Sequence, residues 1–92
     1  MQYRFNEAVS FFISVETQGE VDYFWSRLTA DGGEESRCGW LKDKFGLSWQ
    51  VIPSALSRYL GDPDRTRANR VIQAMMQMKK IVIADLDRAY AG

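Results

Sequence analysis

The chain has 92 residues, of which 46% are hydrophobic and 13% aromatic, and its twelve basic and twelve acidic side chains cancel. That composition fits a globular chain and excludes both disorder and a generic polyanion-binding surface for nucleic acid or anionic membrane. Histidine is absent, which removes imidazole general-base chemistry, Ser/His/Asp and Cys/His triads, and the commonest transition-metal ligand.

The first pattern is alternation from Ala8 to Glu16. Val9, Phe11, Ile13 and Val15 share one face, and Ala8, Ser10, Phe12, Ser14 and Glu16 share the other, which predicts a strand with one apolar and one mixed face. Thr17-Gln18-Gly19-Glu20 has the form of a capping box. Val21, Phe24, Trp25 and Leu28 follow at helical spacing, so a helix over Gln18 to Leu28 is expected to cover the strand's apolar face, with Gly32-Gly33 as its stop. A short, mostly polar second strand is expected within Glu34 to Cys38.

The run from Cys38 to Pro53 reads as a β-hairpin. Trp40 and Leu41 lie on one arm, Leu47 to Ile52 on the other, and Asp43 to Gly46 in the turn. A turn with two central residues would place Trp40 opposite Trp49 and Leu41 opposite Ser48. The order is then one βαβββ unit over about residues 8–53, followed by a helical segment over about 54–92. Ser54 to Leu60 is expected to make two turns ended by Gly61. Asp62-Pro63 reads as an N-cap followed by proline at the first helical position. Ala68, Val71, Ile72, Met75 and Met76 mark the apolar face of a helix running to about Lys79-Lys80, and Asp85 to Tyr90 suits a last short turn.

Ninety-two residues make one small domain, 1–92, that buries only about 60–65% of its unfolded surface, so a partner subunit would add stability. No apolar stretch approaches the roughly 18–20 residues needed to span a bilayer, and Met1-Gln2-Tyr3-Arg4 has no signal-peptide core. One cysteine forms no internal disulfide, and a reducing cytoplasm is the expected compartment.

Four groups of residues give the chain a resemblance to a known family. They are Ala8-Val9-Ser10-Phe11-Phe12-Ile13; Glu16-Thr17-Gln18 with Glu20-Val21-Asp22; the block Gly39 to Pro53; and Met75 with Met78-Lys79-Lys80-Ile81. In this order they resemble the PhnB-like branch of the vicinal oxygen chelate superfamily, which includes glyoxalases and bleomycin-resistance proteins. Its domain often carries the label 3-demethylubiquinone-9 3-methyltransferase. The resemblance implies an α+β fold, a single glyoxalase-like βαβββ module with C-terminal helices. Family proteins of this type usually pair two modules around a cup, and this chain resembles the second, C-terminal one. Either two copies pair as a homodimer, or the chain is part of a longer protein.

In metal-binding relatives, a ligand near the start of the first strand and a carboxylate on the last strand converge inside the cup. The resemblance puts Ser10 and Gln50 at those places, and neither is a good ligand for a borderline divalent metal. Glu16 adds one carboxylate, which makes a weak site, so no metal and no cofactor are expected. The methyltransferase label carries little weight, because no glycine-rich loop after a strand is present to hold a nucleoside cofactor. The polar groups of the cup are then Ser10, Ser14, Glu16, Ser48 and Gln50.

Other candidates have plainer explanations. Cys38 as a nucleophile would need a nearby cation or helix N-terminus, and a small packed side chain is the simpler role. Trp40, Trp49 and Phe45 suit a stacking platform for an aromatic ligand less well than they suit packing. Arg65, Arg67, Arg70, Lys79 and Lys80 are flanked by Asp62, Asp64, Asp85 and Asp87, as on a solvated mixed face. Two functions remain: a small-molecule binding protein or enzyme of undetermined reaction, and a non-catalytic half-module that pairs with itself or with a separate first module.

Overall fold

The computed structural model describes residues 10–92, so Ala8 and Val9 of the expected first strand lie outside the described residues. Strand β1 (Ser10–Val15) passes through Glu16 and Thr17 into helix α1 (Gln18–Thr29). The capping box forms as its spacing predicts. Thr17 Oγ1 accepts from the Glu20 N–H at 3.1 Å, and Glu20 Oε1 accepts from the Thr17 N–H at 3.1 Å. Two orphan donors of the helix entrance are thereby satisfied.

Strands β2 (Glu34–Glu35), β3 (Trp40–Lys42) and β4 (Ser48–Pro53) complete a sheet of order β1-β4-β3-β2. β1 and β4 are parallel, and the other pairs are antiparallel. α1 lies over β3 and β4. There Val15, Val21, Trp25, Leu41 and Val51 form one core, with Ile13, Phe24, Leu28 and Trp49 packed around it. Phe11 shares the parity of Ile13 and Val15 yet is half exposed, because β1 is the edge strand and α1 sits over the middle of the sheet.

The hairpin register differs from the expected one by a residue. Trp40 pairs with Gln50, Leu41 with Trp49, and Lys42 with Ser48. The turn has three central residues rather than two. The Gly46 N–H donates to the Asp43 carbonyl at 2.9 Å, Gly46 adopts a φ of +83°, and the Asp43 N–H donates to the Leu47 carbonyl. The Asp43 carboxylate holds this loop by accepting from the N–H groups of Phe45 and Leu47. A slip of one residue exchanges faces, so Trp49 joins the core under α1 while Trp40 stands on the opposite face.

Helix α2 (Ser54–Leu60) follows β4 directly, as expected. Helix α3 (Arg65–Met75) begins later and ends earlier than its pattern suggested. Its N-cap is Asp64, whose carboxylate accepts from the N–H groups of Thr66 and Arg67. Asp62 instead accepts from the Asp64 N–H and from the Tyr90 hydroxyl. At the other end, the carbonyls of Met78 and Lys79 accept from the N–H groups of Cys38 and Gly39 at 2.9 and 2.8 Å. This pairing between distant parts of the chain takes residues 78–79 out of the helix, and Met76 at its end is 54% exposed rather than on the buried face. Helix α4 (Ile83–Ala91) is longer than the short turn expected at Asp85 to Tyr90.

A second core gathers Ile52, Leu56, Val71, Ile81 and Leu86. Adjacent residues of one strand therefore serve both cores: Val51 points to α1, and Ile52 to the C-terminal helices. Gln18 ties the two parts together. Its amide donates to the Ile81 carbonyl at 3.0 Å and accepts from the Ile83 N–H at 2.7 Å.

Candidate functional site

The face of the sheet opposite α1 is only partly covered. The pairing of β1, β4 and β3 sets Phe12, Gln50 and Trp40 in one row across it. The Gln50 side-chain nitrogen Nε2 donates to Ser10 Oγ at 3.2 Å. A concavity of about 280 Å³ opens over this row. Ile52 continues its floor, and Leu56, Ser57 and Leu60 of α2 form a wall that Met75 of α3 extends. Cys38 stands at its side with a φ of +57°, its backbone held by the bond to the Met78 carbonyl. No carboxylate, ammonium or guanidinium group lines this space.

The five polar residues expected in the cup do not all meet there. Ser10 and Gln50 are joined by their hydrogen bond, and Gln50 borders the concavity. Ser48 pairs in register with Ser10 on the same face and is 1% exposed, and its hydroxyl has no partner among the described residues. It borders a separate polar hollow of about 120 Å³ with Glu34, Ser36 and Lys42. Ser14 is exposed on the open face, in register with Ile52. Glu16 lies beyond the strand, where its carboxylate accepts from the Ser54 hydroxyl at 2.7 Å; it does not border the concavity.

The three aromatics weighed as a stacking platform are dispersed. Trp49 donates from its indole nitrogen to the Asp43 carboxylate at 2.9 Å on the α1 side. Phe45 projects from the turn, 73% exposed, and only Trp40 borders the concavity. The helical wall was not legible as part of a site. Leu56 and Leu60 fall within the expected two-turn helix, and Met75 on the apolar face of the next one, with no signal that any of them faces a site.

The arginines of α3 are occupied within the chain. Arg65 donates to the carbonyls of Leu60 and Asp62, and Arg70 to those of Ala89 and Tyr90. Arg67 sits 5.1 Å from the Tyr90 ring centre and beside Asp64.

The donor set does not fit a borderline divalent metal: an amide and a hydroxyl bonded to each other stand at the inferred ligand positions. Nor does the passage from β1 to α1 fit a nucleoside cofactor. It consists of Glu16 and Thr17, and their N–H groups are bonded to Glu20, which leaves no glycine-rich turn for close backbone approach. Among the described residues no helix is long and apolar enough to cross a membrane.

A family model described as 3-demethylubiquinone-9 3-methyltransferase matches residues 1–52. The matched stretch ends within β4, so α2, α3 and α4 lie beyond it. No match was found among curated proteins. With the strand, helix and three-stranded return in that family's order, and the match extending over more than half of its length, the chain belongs to the 3-demethylubiquinone-9 3-methyltransferase-like family, a glyoxalase-type module of the vicinal oxygen chelate kind.

Proposed function

We propose that this protein binds a small molecule on the open face of its sheet, in a cup completed by a second copy of the chain. The observation that carries the reading is the concavity over the row Phe12, Gln50 and Trp40, with the unpaired edge of β1 beside it. Among the described residues β1 pairs on one side only, and it presents Phe11 and Phe12 at 50% and 57% exposure. An apolar strand edge of this kind invites a further strand, and a symmetric pair is the simplest source of one. Ser10, Ser14, Ser48 and Gln50 supply the polar groups of that face, and Glu16 stands at its rim.

Light scattering behind a sizing column at micromolar concentration tests the pairing. A mass near twice the 10.6 kDa of one chain is expected, with a buried area above roughly 1,000 Å² in total. Phe11→Asp, with its circular-dichroism spectrum unchanged, should shift the equilibrium toward the single chain. A folded protein running at 10.6 kDa would show that the module stands alone and would remove the shared cup. A paired module without chemistry of its own is the second reading, and the exposed Phe11 and Phe12 favour it as much as the first.

A further inference from the structure

We infer that the ligand of this concavity is a small, uncharged, planar molecule carrying one hydrogen-bond donor, and that the Gln50 carbonyl oxygen Oε1 reads that donor. The inference rests on the binding reading above and adds the ligand's class to it.

Charge is the first discriminator. The floor and wall contribute aromatic, aliphatic and thioether groups with one amide, one hydroxyl, the Trp40 indole and the Cys38 thiol, and no carboxylate, ammonium or guanidinium group. An ionised ligand would leave water for a space holding no counter-charge, which is costly. Size is the second. The side of the cup that one chain supplies has a volume of about 280 Å³, at the lower end of small-molecule pockets, and it seats one or two rings. The row itself suits a flat molecule. Gln50 is flanked in register by Phe12 on β1 and Trp40 on β3, so at ordinary strand spacing the two aromatic residues stand roughly 10 Å apart across the amide. A flat molecule set over the amide meets apolar surface on both sides.

The amide fixes the polarity. Its nitrogen is engaged as donor to Ser10 Oγ, and Oε1 has no donor among the described residues. An acceptor in an otherwise apolar floor favours a ligand with a hydroxyl or N–H over an isostere lacking one, because an unmet donor or acceptor there loses its hydration without return. The part of the concavity formed by Leu56, Ser57, Leu60 and Met75 comes from α2 and α3. These wall residues lie outside the family-matched stretch, whereas Phe12, Trp40 and Gln50 of the floor lie within it.

Isothermal titration of the full chain at pH 7 with four two-ring probes tests this: 1-naphthol, 1-methoxynaphthalene, 1-naphthoate and 1-naphthylmethylammonium. Naphthol should bind about tenfold tighter than methoxynaphthalene, the worth of one hydrogen bond, and at least tenfold tighter than either ion. Gln50→Leu should bring naphthol down to the affinity of methoxynaphthalene and leave the latter within about twofold. Ser57→Trp, which fills the wall, should abolish binding of all four. A charged probe binding as tightly as naphthol would overturn the ligand class and leave small-molecule binding standing. Equal losses of both neutral probes in Gln50→Leu would remove Gln50 as the reader, and binding that survives Ser57→Trp would put the site elsewhere. Failure of every probe on a folded, paired protein would take the binding function with it.

Discussion

Gly39 sits where three parts of the chain cross. Its N–H donates to the Lys79 carbonyl, its own carbonyl accepts from the Val51 N–H, and its φ is +84°. A Cβ there would lie 2.7 Å from Ile52 Cδ1 and 3.1 Å from the Val51 carbonyl oxygen. Gly39→Ala combines a left-handed backbone with overpacking, so it should cost more than about 2 kcal/mol in chemical denaturation. A loss below half of that would mean the crossing relaxes freely. Trp25 is the other decisive residue. It is 4% exposed between α1 and the sheet, and its indole nitrogen donates to Glu35 at 2.7 Å. Trp25→Ala should cost about 3–5 kcal/mol, as for a large core aromatic, whereas a value under about 1 kcal/mol would place the ring at the surface. The buried place of Trp25 was legible from helical spacing alone. Neither the neighbours of Gly39 nor the left-handed Cys38 beside it was, because they depend on residues distant in the chain: Val51, Ile52, Lys79 and Ile81 for Gly39, and Met78 for Cys38.

Local rules worked best at the entrance to α1 and worst in the hairpin. The capping box needs only Thr17 and Glu20, so sequence spacing suffices. The hairpin register depends on how many residues the Asp43 carboxylate gathers, and that is a property of the folded loop. Partial burial pushes the Asp43 carboxyl up, but hydrogen bonds from the Trp49 indole and the Leu47 and Phe45 N–H groups, with the Lys44 charge, bring it below its ordinary 3.8. Asp22 is also held below 3.8, by the hydrogen bond from Lys80 and then that from Gln18. Groups with lowered folded-state values contribute stability that is full above the ordinary value and lost as pH falls through the lowered one. The urea midpoint should therefore drop on acidification below 3.8, and the drop should be smaller in the Asp22→Asn, Asp43→Asn double variant. An identical acid profile for that variant would show that these two carboxylates do not stabilise the fold through their charge.

At the scale of the whole molecule, the two cores meet at Val51 and Ile52, and the open face is what remains after α1 has taken one side of the sheet and the C-terminal helices one end of the other. Ser10 and Gln50 meet there as hydroxyl and amide, with Gln50 Nε2 donating to Ser10 Oγ. Elemental analysis of protein purified without chelator should accordingly find no stoichiometric zinc, nickel or iron; near one metal per chain would contradict this reading of the donors. The order of strand, helix and three returning strands was legible from alternation, capping and turn residues, since each acts over a few neighbouring positions. So was the common face of Ser10 and Ser14, because side chains along a strand alternate with a period of two; that Ser48 and Gln50 share it was implied by the family resemblance and depends on the pairing of β1 with β4. The tertiary structure decided which face Trp40 and Trp49 take, where α3 stops, and that Glu16 bonds Ser54 instead of entering the concavity. It also brought Leu56, Ser57, Leu60 and Met75 against the sheet. Those outcomes depend on contacts between residues far apart in the chain, where hydrogen bonding and close packing between elements override what any short window of sequence prefers.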